Sequence, residues 1–420
     1  MINQPILNIG MIGHVSNGKS TITKCLTGIT TQRHSSEKQK NITIKLGYAN
    51  AKIYKCGSCP EPEAFQCASS KTFDKACDIC NASMELITHV SFVDCPGHIK
   101  FMSTMLNGTS IMDTTILVES ICNENLPAPQ TEEHIRAITI GQIPNSVICL
   151  NKFDLIKEHI AIKNIQILKK AFENTIVSDS PMVPISGTLN INVDILCYYI
   201  SQIPVPVRDI SSPYRMVIVR SFNINKPGTE IDSLSGAVIG GTILCGKVSV
   251  NDIVELRPGY CTENTDESSQ TRWNFIPLVS KIISINSETN QLQYAIPGGL
   301  IGIQLDIDSA LASNDGLIGQ ILVQRGIDNN SHQVYEELAI SYKTLADSII
   351  KKNDEVVIHL NACNINCKIT KIYEDNILKL KLEKPICASV NDKFSLCSDG
   401  KIFGVGKIIE GKSSREVRQL

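Results

Sequence analysis

The sequence predicts an α/β domain of the P-loop class, with a mostly parallel sheet and helices on both faces, followed by two β-barrel domains. Three observations predict it: a glycine-rich loop near the N-terminus, alternating strand-like and helical stretches up to about residue 206, and short punctuated strands beyond. Alternating strands and helices are typical of parallel sheets, whereas many short strands separated by Gly, Asn and Asp are typical of barrels.

The glycine-rich loop covers residues 13–20, with the sequence GHVSNGKS. It follows an apolar run and precedes a helical stretch, so it joins a strand to a helix. In a G-x-x-x-x-G-K-[ST] loop, backbone N–H groups and the helix N-terminus hold a di- or triphosphate. Lys19 is expected to reach the β- and γ-phosphates, and Ser20 to bind Mg²⁺. The loop alone leaves the base undecided.

Apolar runs mark the strands, and breaks in composition mark the domains. The first part has runs at residues 7–12, 90–93, 115–118, 147–150 and 182–185, and the second at residues 216–221, 236–244, 252–257 and 317–323. Prolines near residues 204–213 and a polar stretch at 328–331 separate the parts. We therefore expect a nucleotide-binding domain at 1–209 and barrels at 210–328 and 329–420.

Three further motifs follow predicted strands in the chain order of a GTPase. In the D-x-x-G loop at residues 94–97, the Asp94 carboxylate would hold Mg²⁺ through water and the Gly97 N–H would meet the γ-phosphate. The N-K-x-D motif at 151–154 favours guanine, because its carboxylate accepts hydrogen bonds from guanine N1 and N2. The weaker motif at 186–188 suits a backbone contact to guanine O6.

Two single residues fit the same site but also have ordinary explanations. Thr43, within the sequence NITIK at residues 41–45, could complete the Mg²⁺ coordination and cap the γ-phosphate. Without the other motifs, that segment would be interpreted as a β-branched strand. His98 directly follows Gly97 and could orient the attacking water, although a lone histidine is usually a surface or core residue.

Composition limits the class of protein. A chain of 420 residues exceeds the size of one hydrophobic core, so two or three domains are expected. The net charge of −2 argues against a broadly basic nucleic-acid surface, but it leaves room for a local basic groove. The N-terminus lacks a basic region before its apolar run, and we expect neither a signal peptide nor a membrane span. Sixteen cysteines then point to reduced thiols in the cytoplasm.

Two C-x-x-C pairs form a cysteine-rich insertion at residues 56–80. Cys56 and Cys59 make the first pair, and Cys77 and Cys80 the second. This spacing lets four thiolates surround a structural Zn²⁺ tetrahedrally, although four unligated cytosolic cysteines remain the alternative. Cys67 is left over and is interpreted as a free thiol, and the site lacks the open position of a catalytic zinc.

Together the motifs resemble those of the translational GTPases. The segments that carry this resemblance are residues 13–21, 41–49, 94–98 and 127–134. One branch is matched more specifically, the gamma subunits of eukaryotic and archaeal translation initiation factor 2. That match lies in residues 41–55, the insertion after them, residues 220–228 and residues 292–302. The resemblance covers nearly the whole chain and implies a G domain followed by two barrels.

The resemblance implies a role for each site residue. The phosphate-binding residues would be Ser16, Asn17, Gly18, Lys19, Ser20 and Thr21, the Mg²⁺ site would include Ser20, Thr43 and Asp94, and the guanine site would comprise Asn151, Lys152, Asp154, Ser186, Gly187 and Thr188. Catalysis would involve Lys19, Thr43, Gly97 and His98, behind a gate formed by Val15 and Ile42. The chain departs from the family at Asn17, where His is usual, and at Gly187, where Ala is usual.

The resemblance also implies a function and partners. The GTP form would bind initiator methionyl-tRNA, with Tyr48 in the tRNA groove, and would deliver it to the small ribosomal subunit until hydrolysis at the start codon releases the factor. A tyrosine packed within a strand is an equally good interpretation of Tyr48. Expected partners are the alpha and beta subunits of a heterotrimer, a GTPase activator and a nucleotide exchange factor.

Two alternatives stay open at this point. An elongation GTPase of the Tu type, or the selenocysteine-specific one, would share the nucleotide motifs but would not explain the paired C-x-x-C insertion. A GTP-dependent tRNA carrier without hydrolysis would explain the departure at Asn17. The presence of Asp94, Gly97 and His98 argues against that carrier.

Overall fold

A computed structural model describes residues 2–31, 37, 43, 45–98, 101–230, 233–264, 269, 271–326, 332–344, 350–398 and 401–417. The chain divides into two compact units. The first comprises Met1–Val207 with the short segments Ser287–Asn290 and Gly298–Leu300. The second comprises Arg208–Asn286, Gln291–Pro297 and Ile301–Leu420.

A seven-stranded sheet forms the centre of the first unit. Its strands are β1 (Leu7–Ile12), β2 (Gly47–Cys56), β3 (Phe65–Ser69), β4 (Met84–Asp94), β5 (Thr114–Ser120), β6 (Val147–Asn151) and β7 (Met182–Ile185), in the order β3-β2-β4-β1-β5-β6-β7. The strands from β4 to β7 in this order are parallel, whereas β2 and β3 are antiparallel to their neighbours. The predicted mostly parallel sheet is confirmed, with an antiparallel edge added.

Five α-helices accompany this sheet among the described residues. They are α1 (Lys19–Thr27), α2 (Met102–Thr109), α3 (Thr131–Gly141), α4 (Glu158–Phe172) and α5 (Val193–Ser201). Helix α1 ends at Gly28, whose φ of 74° is left-handed and whose N–H donates to the carbonyl of Lys24. Glycine reaches this conformation without steric cost, so it stops the helix.

Strand β1 shows that both faces of the sheet are covered. All six of its residues are buried. Leu7, Ile9 and Met11 share a core cluster with Ile22 of α1 and Leu196 of α5. Because successive strand residues point to opposite faces, the other three residues of β1 are buried on the second face. The carboxyl ends of the parallel strands meet at one edge, where ligands of such sheets bind.

The second unit contains two closed barrels of six strands each. The first barrel closes through β8 (Arg215–Phe222), β9 (Val238–Cys245), β11 (Ile253–Glu263), β12 (Trp273–Ser287), β15 (Ile301–Leu305) and β16 (Ile321–Gln324), and the short strands β10 (Val248–Ser249), β13 (Asn290–Leu292), β14 (Tyr294–Ala295) and β23 (Arg415–Glu416) pair beside it. The second consists of β17 (Gln333–Thr344), β18 (Glu355–Leu360), β19 (Cys363–Tyr373), β20 (Ile377–Ala388), β21 (Lys393–Ser398) and β22 (Lys401–Ser413). The predicted fold class is therefore confirmed.

A largely buried ion pair joins the two barrels. Arg215 of β8 donates two hydrogen bonds, of 3.0 and 2.6 Å, to the carboxylate of Asp392 beside β21. The same carboxylate accepts from the side chain of Asn361 and the backbone N–H of Ser389. These contacts favour the charged form and lower the pKa of Asp392 despite its burial. The pair thus links the two barrels through charged hydrogen bonds.

Some boundaries differ from the sequence expectation. The strand predicted at 317–323 begins only at Ile321, because a 3-10 helix, Ser309–Asp315, and a turn at Gly319 with φ +84° precede it. The three-domain division at 209/210 and 328/329 stays a prediction, since the second unit holds both barrels.

Within the described part of the chain, no helix combines the length and apolar character needed to cross a membrane.

Candidate functional site

The glycine loop follows β1 and bends sharply at three residues. Gly13, Ser16 and Gly18 have φ values of 130°, 63° and 98°. A Cβ on Gly13 would lie 2.2 Å from the carbonyl oxygen of Val118, and one on Gly18 would lie 2.2 Å from the side-chain nitrogen of Asn151. Only glycine fits at these two positions, because the neighbouring segments press directly on the loop.

Lys19 lies inside the loop and is only 6% exposed. Its Nζ donates to the carbonyl oxygens of Gly13 and His14 at 2.8 and 2.9 Å. Burial lowers the pKa of Lys19 to about 8, although the carboxylates of Asp94 and Glu119 act in the opposite direction. A phosphate in the loop would offer this ammonium stronger oxygen acceptors than the two carbonyls.

The predicted Mg²⁺ ligands lie together. Ser20 Oγ donates to Asp94 Oδ2 at 2.6 Å and lies 3.1 Å from Thr43 Oγ1. Thr31, which no motif indicated, also donates to Asp94 Oδ2. Asp94 Oδ1 has no hydrogen-bond partner among the described residues, and burial raises the pKa of this carboxyl. An all-oxygen set with an unpaired buried carboxylate oxygen fits Mg²⁺.

Gly97 brings the D-x-x-G loop against the phosphate loop. A Cβ there would lie 2.4 Å from Lys19 Nζ and 2.7 Å from both the Gly13 carbonyl oxygen and the Val15 nitrogen. The predicted γ-phosphate contact is therefore sterically open only to glycine. His98 follows it, half-buried, with its ring edge-on to Phe101 at a centroid distance of 6.1 Å. Since Ile42 lies outside the described residues, the gate formed with Val15 stays a prediction.

A second histidine near this loop had no assigned role. His134 of α3 is fully buried, and burial, with the charge of Lys19 next in size, lowers its pKa to about 3. Its imidazole is therefore neutral at physiological pH and lies beside the backbone of Gly97. The sequence offered a signal, because residues 127–134 carried part of the family resemblance, but no spacing rule linked His134 to Gly97.

Asn151 links the phosphate loop to the turn at residues 186–188 of the predicted base pocket. Its Nδ2 donates to the Asn17 carbonyl oxygen at 2.8 Å, and its Oδ1 accepts from the Gly187 N–H at 3.2 Å. A Cβ on Gly187 would lie 3.1 Å from Ile22 Cγ1, so an alanine there would require a small shift of that side chain. The departure at Gly187 therefore matches a tight contact with helix α1.

The remaining predicted base-pocket residues lie on two neighbouring turns after β6 and β7. Lys152 has a left-handed φ of 65° and is half-buried, whereas Asp154 is exposed. Ser186 is buried and its Oγ accepts from the Leu189 N–H at 3.3 Å, while Thr188 is exposed. The exposed Asp154 carboxylate is available to a base, and its guanine contact stays a prediction.

The phosphate-loop departure, Asn17, does not place its side chain toward the phosphate. Asn17 is 1% exposed, and its Nδ2 donates to the Val118 carbonyl oxygen at 2.9 Å and to Glu119 Oε2 at 3.2 Å. Its Oδ1 accepts from Asn123 Nδ2 at 3.2 Å. Ser16 and Thr21, in contrast, are exposed. The amide of Asn17 is thus an anchor for the loop.

The four paired cysteines converge in the insertion between β2 and β4. Their sulfurs all lie within 4.8 Å of one another, with separations of 3.5 Å for Cys56 and Cys80, 3.6 Å for Cys59 and Cys80, and 3.7 Å for Cys59 and Cys77. A tetrahedral site with Zn–S bonds of about 2.3 Å places its sulfurs about 3.8 Å apart. The donor set therefore fits Zn²⁺.

The electrostatics of the cluster agree with a cation site. Backbone N–H groups of Cys80 and Ile79 lower the pKa of Cys77 to about 6. Burial raises the pKa of Cys59 to about 12. Four thiols this close cannot all ionise without a cation among them, because each thiolate opposes the next. Cys67 is outside the cluster and forms no disulfide.

Tyr48, the predicted tRNA contact, lies on β2. It pairs with Val93 of β4 and is half-buried. This position is compatible with a tyrosine packed within the strand and with a ring that stacks on a tRNA base. Its contact with tRNA stays a prediction.

Comparisons with known proteins agree with this fold. A family model, "Elongation factor Tu GTP binding domain", matches residues 4–206. The chain is 20% identical, with a TM-score of 0.72, to a bacterial selenocysteine-specific elongation factor EF-Sec, covering 97% of this chain and 59% of that one. It is 19% identical, with a TM-score of 0.70, to elongation factor SelB of Methanococcus maripaludis in complex with a GTP analogue, covering 98% and 80%. These structures show the shared fold alone.

Two curated proteins are much more similar in sequence. The chain is 41% identical to eukaryotic translation initiation factor 2 subunit gamma of Schizosaccharomyces pombe, over 98% of this chain and 95% of that protein. It is 40% identical to eukaryotic translation initiation factor 2 subunit 3 of Drosophila melanogaster, over 98% and 90%. The chain therefore belongs to the gamma-subunit family of translation initiation factor 2, within the translational GTPases.

Proposed function

We propose that this chain is the GTP-hydrolysing gamma subunit of an initiation factor 2, whose GTP form binds initiator methionyl-tRNA and delivers it to the small ribosomal subunit. One observation carries the proposal. One edge of the sheet brings together the predicted phosphate and Mg²⁺ residues Lys19, Ser20, Thr43, Asp94 and Gly97. The chain that carries them is 41% identical to an initiation factor gamma subunit over nearly its whole length.

The phosphate end of the pocket would distinguish GTP from GDP. Gly97 lies against Lys19 and the phosphate loop, and its N–H would meet a third phosphate. Thr43, close to Ser20, would close over the same phosphate. Hydrolysis would remove the phosphate that both residues contact and release the segments at residues 41–48 and 94–98. GTPases generally change conformation in this way.

Hydrolysis needs a positioned water and charge stabilisation. His98 would orient the water, and Lys19 would stabilise the charge on the phosphate oxygens. Ser20 and Thr43 would hold Mg²⁺ directly, and Asp94 would hold it through water. When bound, Mg²⁺ neutralises charge between the β- and γ-phosphates. Asp154, Lys152 and the turn at 186–188 would select guanine.

The insertion and the partners complete the proposal. Cys56, Cys59, Cys77 and Cys80 would hold a structural Zn²⁺ that stabilises the 56–80 insertion. Tyr48 would contact the tRNA, because an aromatic ring can stack on a base or ribose. The chain would act in the cytoplasm within a heterotrimer with alpha and beta subunits, and would use a GTPase activator and a nucleotide exchange factor.

A filter-binding comparison tests the proposal. The purified chain is mixed with GTP or GDP and with methionylated initiator or methionylated elongator tRNA. We expect retention of initiator tRNA in the presence of GTP to exceed each of the other three combinations by about tenfold or more. Equal retention of both tRNAs, or no effect of the nucleotide, would overturn the initiation-factor assignment.

A further inference from the structure

Glu119 is a buried carboxylate that no sequence motif includes. It lies on β5, next to the residue whose carbonyl presses on Gly13, and it is 0% exposed. Burying an ionisable side chain is costly unless hydrogen bonds compensate it. The contacts of Glu119 therefore indicate why the fold retains it.

Three donors converge on this carboxylate from two segments. Asn17 of the phosphate loop donates to Oε2 at 3.2 Å. Thr131, the first residue of α3, donates its hydroxyl to the same oxygen at 2.6 Å, and the backbone N–H of Ala128 donates to Oε1 at 2.8 Å. Glu119 thus ties the phosphate loop to the segment that begins helix α3.

From this network we infer that Glu119 is a positioning residue for nucleotide binding, which holds the phosphate loop in its binding conformation through Asn17. The inference rests on the nucleotide site proposed above. The Asn17 side chain cannot rotate to replace a lost bond to Glu119 without breaking other bonds, because its Nδ2 also donates to the Val118 carbonyl and its Oδ1 accepts from Asn123. A change at Glu119 therefore reaches the peptide units at 16–18, whose N–H groups would face the phosphates.

The polarity of the contact makes the inference testable. In Glu119→Gln, a side-chain NH₂ faces the NH₂ of Asn17 while the oxygen stays opposite the N–H of Ala128. Flipping the Asn17 amide does not repair this, because its oxygen would then face the Val118 carbonyl. In Asn17→Asp, two carboxylates would stand where nitrogen and oxygen are now 3.2 Å apart, and Glu119→Gln should relieve that repulsion.

The experiment is isothermal titration calorimetry of the full chain with GDP and with a non-hydrolysable GTP analogue. We expect Glu119→Gln to raise both dissociation constants about tenfold with stoichiometry still near one, and Asn17→Asp to raise them about a hundredfold or more. The double variant should bind about tenfold more tightly than Asn17→Asp alone. Thr131→Val, which removes one donor, should weaken binding about threefold.

Thr139→Val is the matched control for Thr131→Val, because Thr139 also lies on helix α3. Among the described contacts, the Thr139 hydroxyl donates only to the carbonyl of Ile135. It should bind within about twofold of the wild type. The inference is overturned if Glu119→Gln lowers the stoichiometry with unchanged dissociation constants, or if the double variant binds no better than Asn17→Asp. Failure of the wild type to bind either nucleotide would instead overturn the proposed function.

Discussion

The ammonium group of Lys19 is buried in the phosphate loop, where little water reaches it. Because desolvation lowers its pKa to about 8, part of the nucleotide-free protein holds a neutral lysine in weakly alkaline solution. Phosphate charges favour the protonated form and raise this pKa again. Nucleotide binding is therefore coupled to the protonation of Lys19.

The sign of the coupling is set by the direction of the shift. Below the folded pKa the lysine is protonated before and after binding, so we expect no net uptake of a proton by Lys19 at about pH 7. At about pH 9, binding should take up close to one proton, and affinity should fall as the pH rises further. Calorimetry of GDP binding in two buffers of different ionisation enthalpy measures this, and a heat independent of the buffer at both pH values would contradict it.

Asp154 is the residue that should decide the base. Its exposed carboxylate lies on the turn after β6 and would accept from guanine N1 and N2. Asp154→Asn should lower the affinity for GTP about a hundredfold and allow xanthosine triphosphate to bind, because the amide presents a donor where guanine also presents one. Competition binding with both nucleotides measures the change. Unchanged preference for GTP would remove Asp154 from the base pocket.

The residues of the site differ in how well the sequence predicts them. Lys19, Ser20 and Asp94 belong to motifs that follow predicted strands and whose residue types are typical of phosphate and Mg²⁺ binding. Thr31 and Glu119 belong to none, because they reach the site only through tertiary contacts between segments distant in the chain. Residues of this second kind become visible only in the structure.

At the scale of elements, the loops after parallel strands bring the motifs together. The strands predicted at Leu7–Ile12 and Met182–Ile185 agree with the observed bounds. The first is buried along its whole length, and buried parallel strands form mostly apolar runs. The antiparallel strands β2 and β3 lie outside the predicted apolar runs, although one interpretation of Tyr48 already placed this residue in a strand. Two lysines and two tyrosines within β2 are buried or half-buried, so its sequence does not show the usual alternation of apolar and polar residues.

The cysteine insertion is the element whose metal can be tested directly. Wild-type protein should contain about one zinc per chain, and Cys80→Ser should lose most of it, because three sulfurs bind zinc less tightly than four. Cys67→Ser is the matched control, since Cys67 lies in the same insertion but outside the cluster. Elemental analysis after gel filtration measures the content. Zinc loss in Cys67→Ser, or a wild type that cannot be loaded, would contradict the site.

At the scale of the whole molecule, the fold class follows from composition and pattern, but the contacts between barrels do not. Short strands between Gly, Asn and Asp predicted the two barrels. The pairing of Arg215 with Asp392 could not be predicted, because 177 positions separate these residues and neither belongs to a motif. A buried carboxylate, Glu336, accepts from the backbone N–H groups of Arg272 and Trp273 and joins the same two barrels.

As a whole, the molecule should act as a switch that hydrolyses GTP. In a single-turnover assay, the protein is first bound to initiator methionyl-tRNA and to GTP labelled at the γ-phosphate. This complex is then mixed with small ribosomal subunits that carry a start codon and the activator. Wild-type protein should release phosphate, and His98→Ala should slow that release about a hundredfold. His159→Ala, an exposed histidine on α4, should match the wild type. Delivery of the tRNA with GTP left intact by the wild type would contradict the claim.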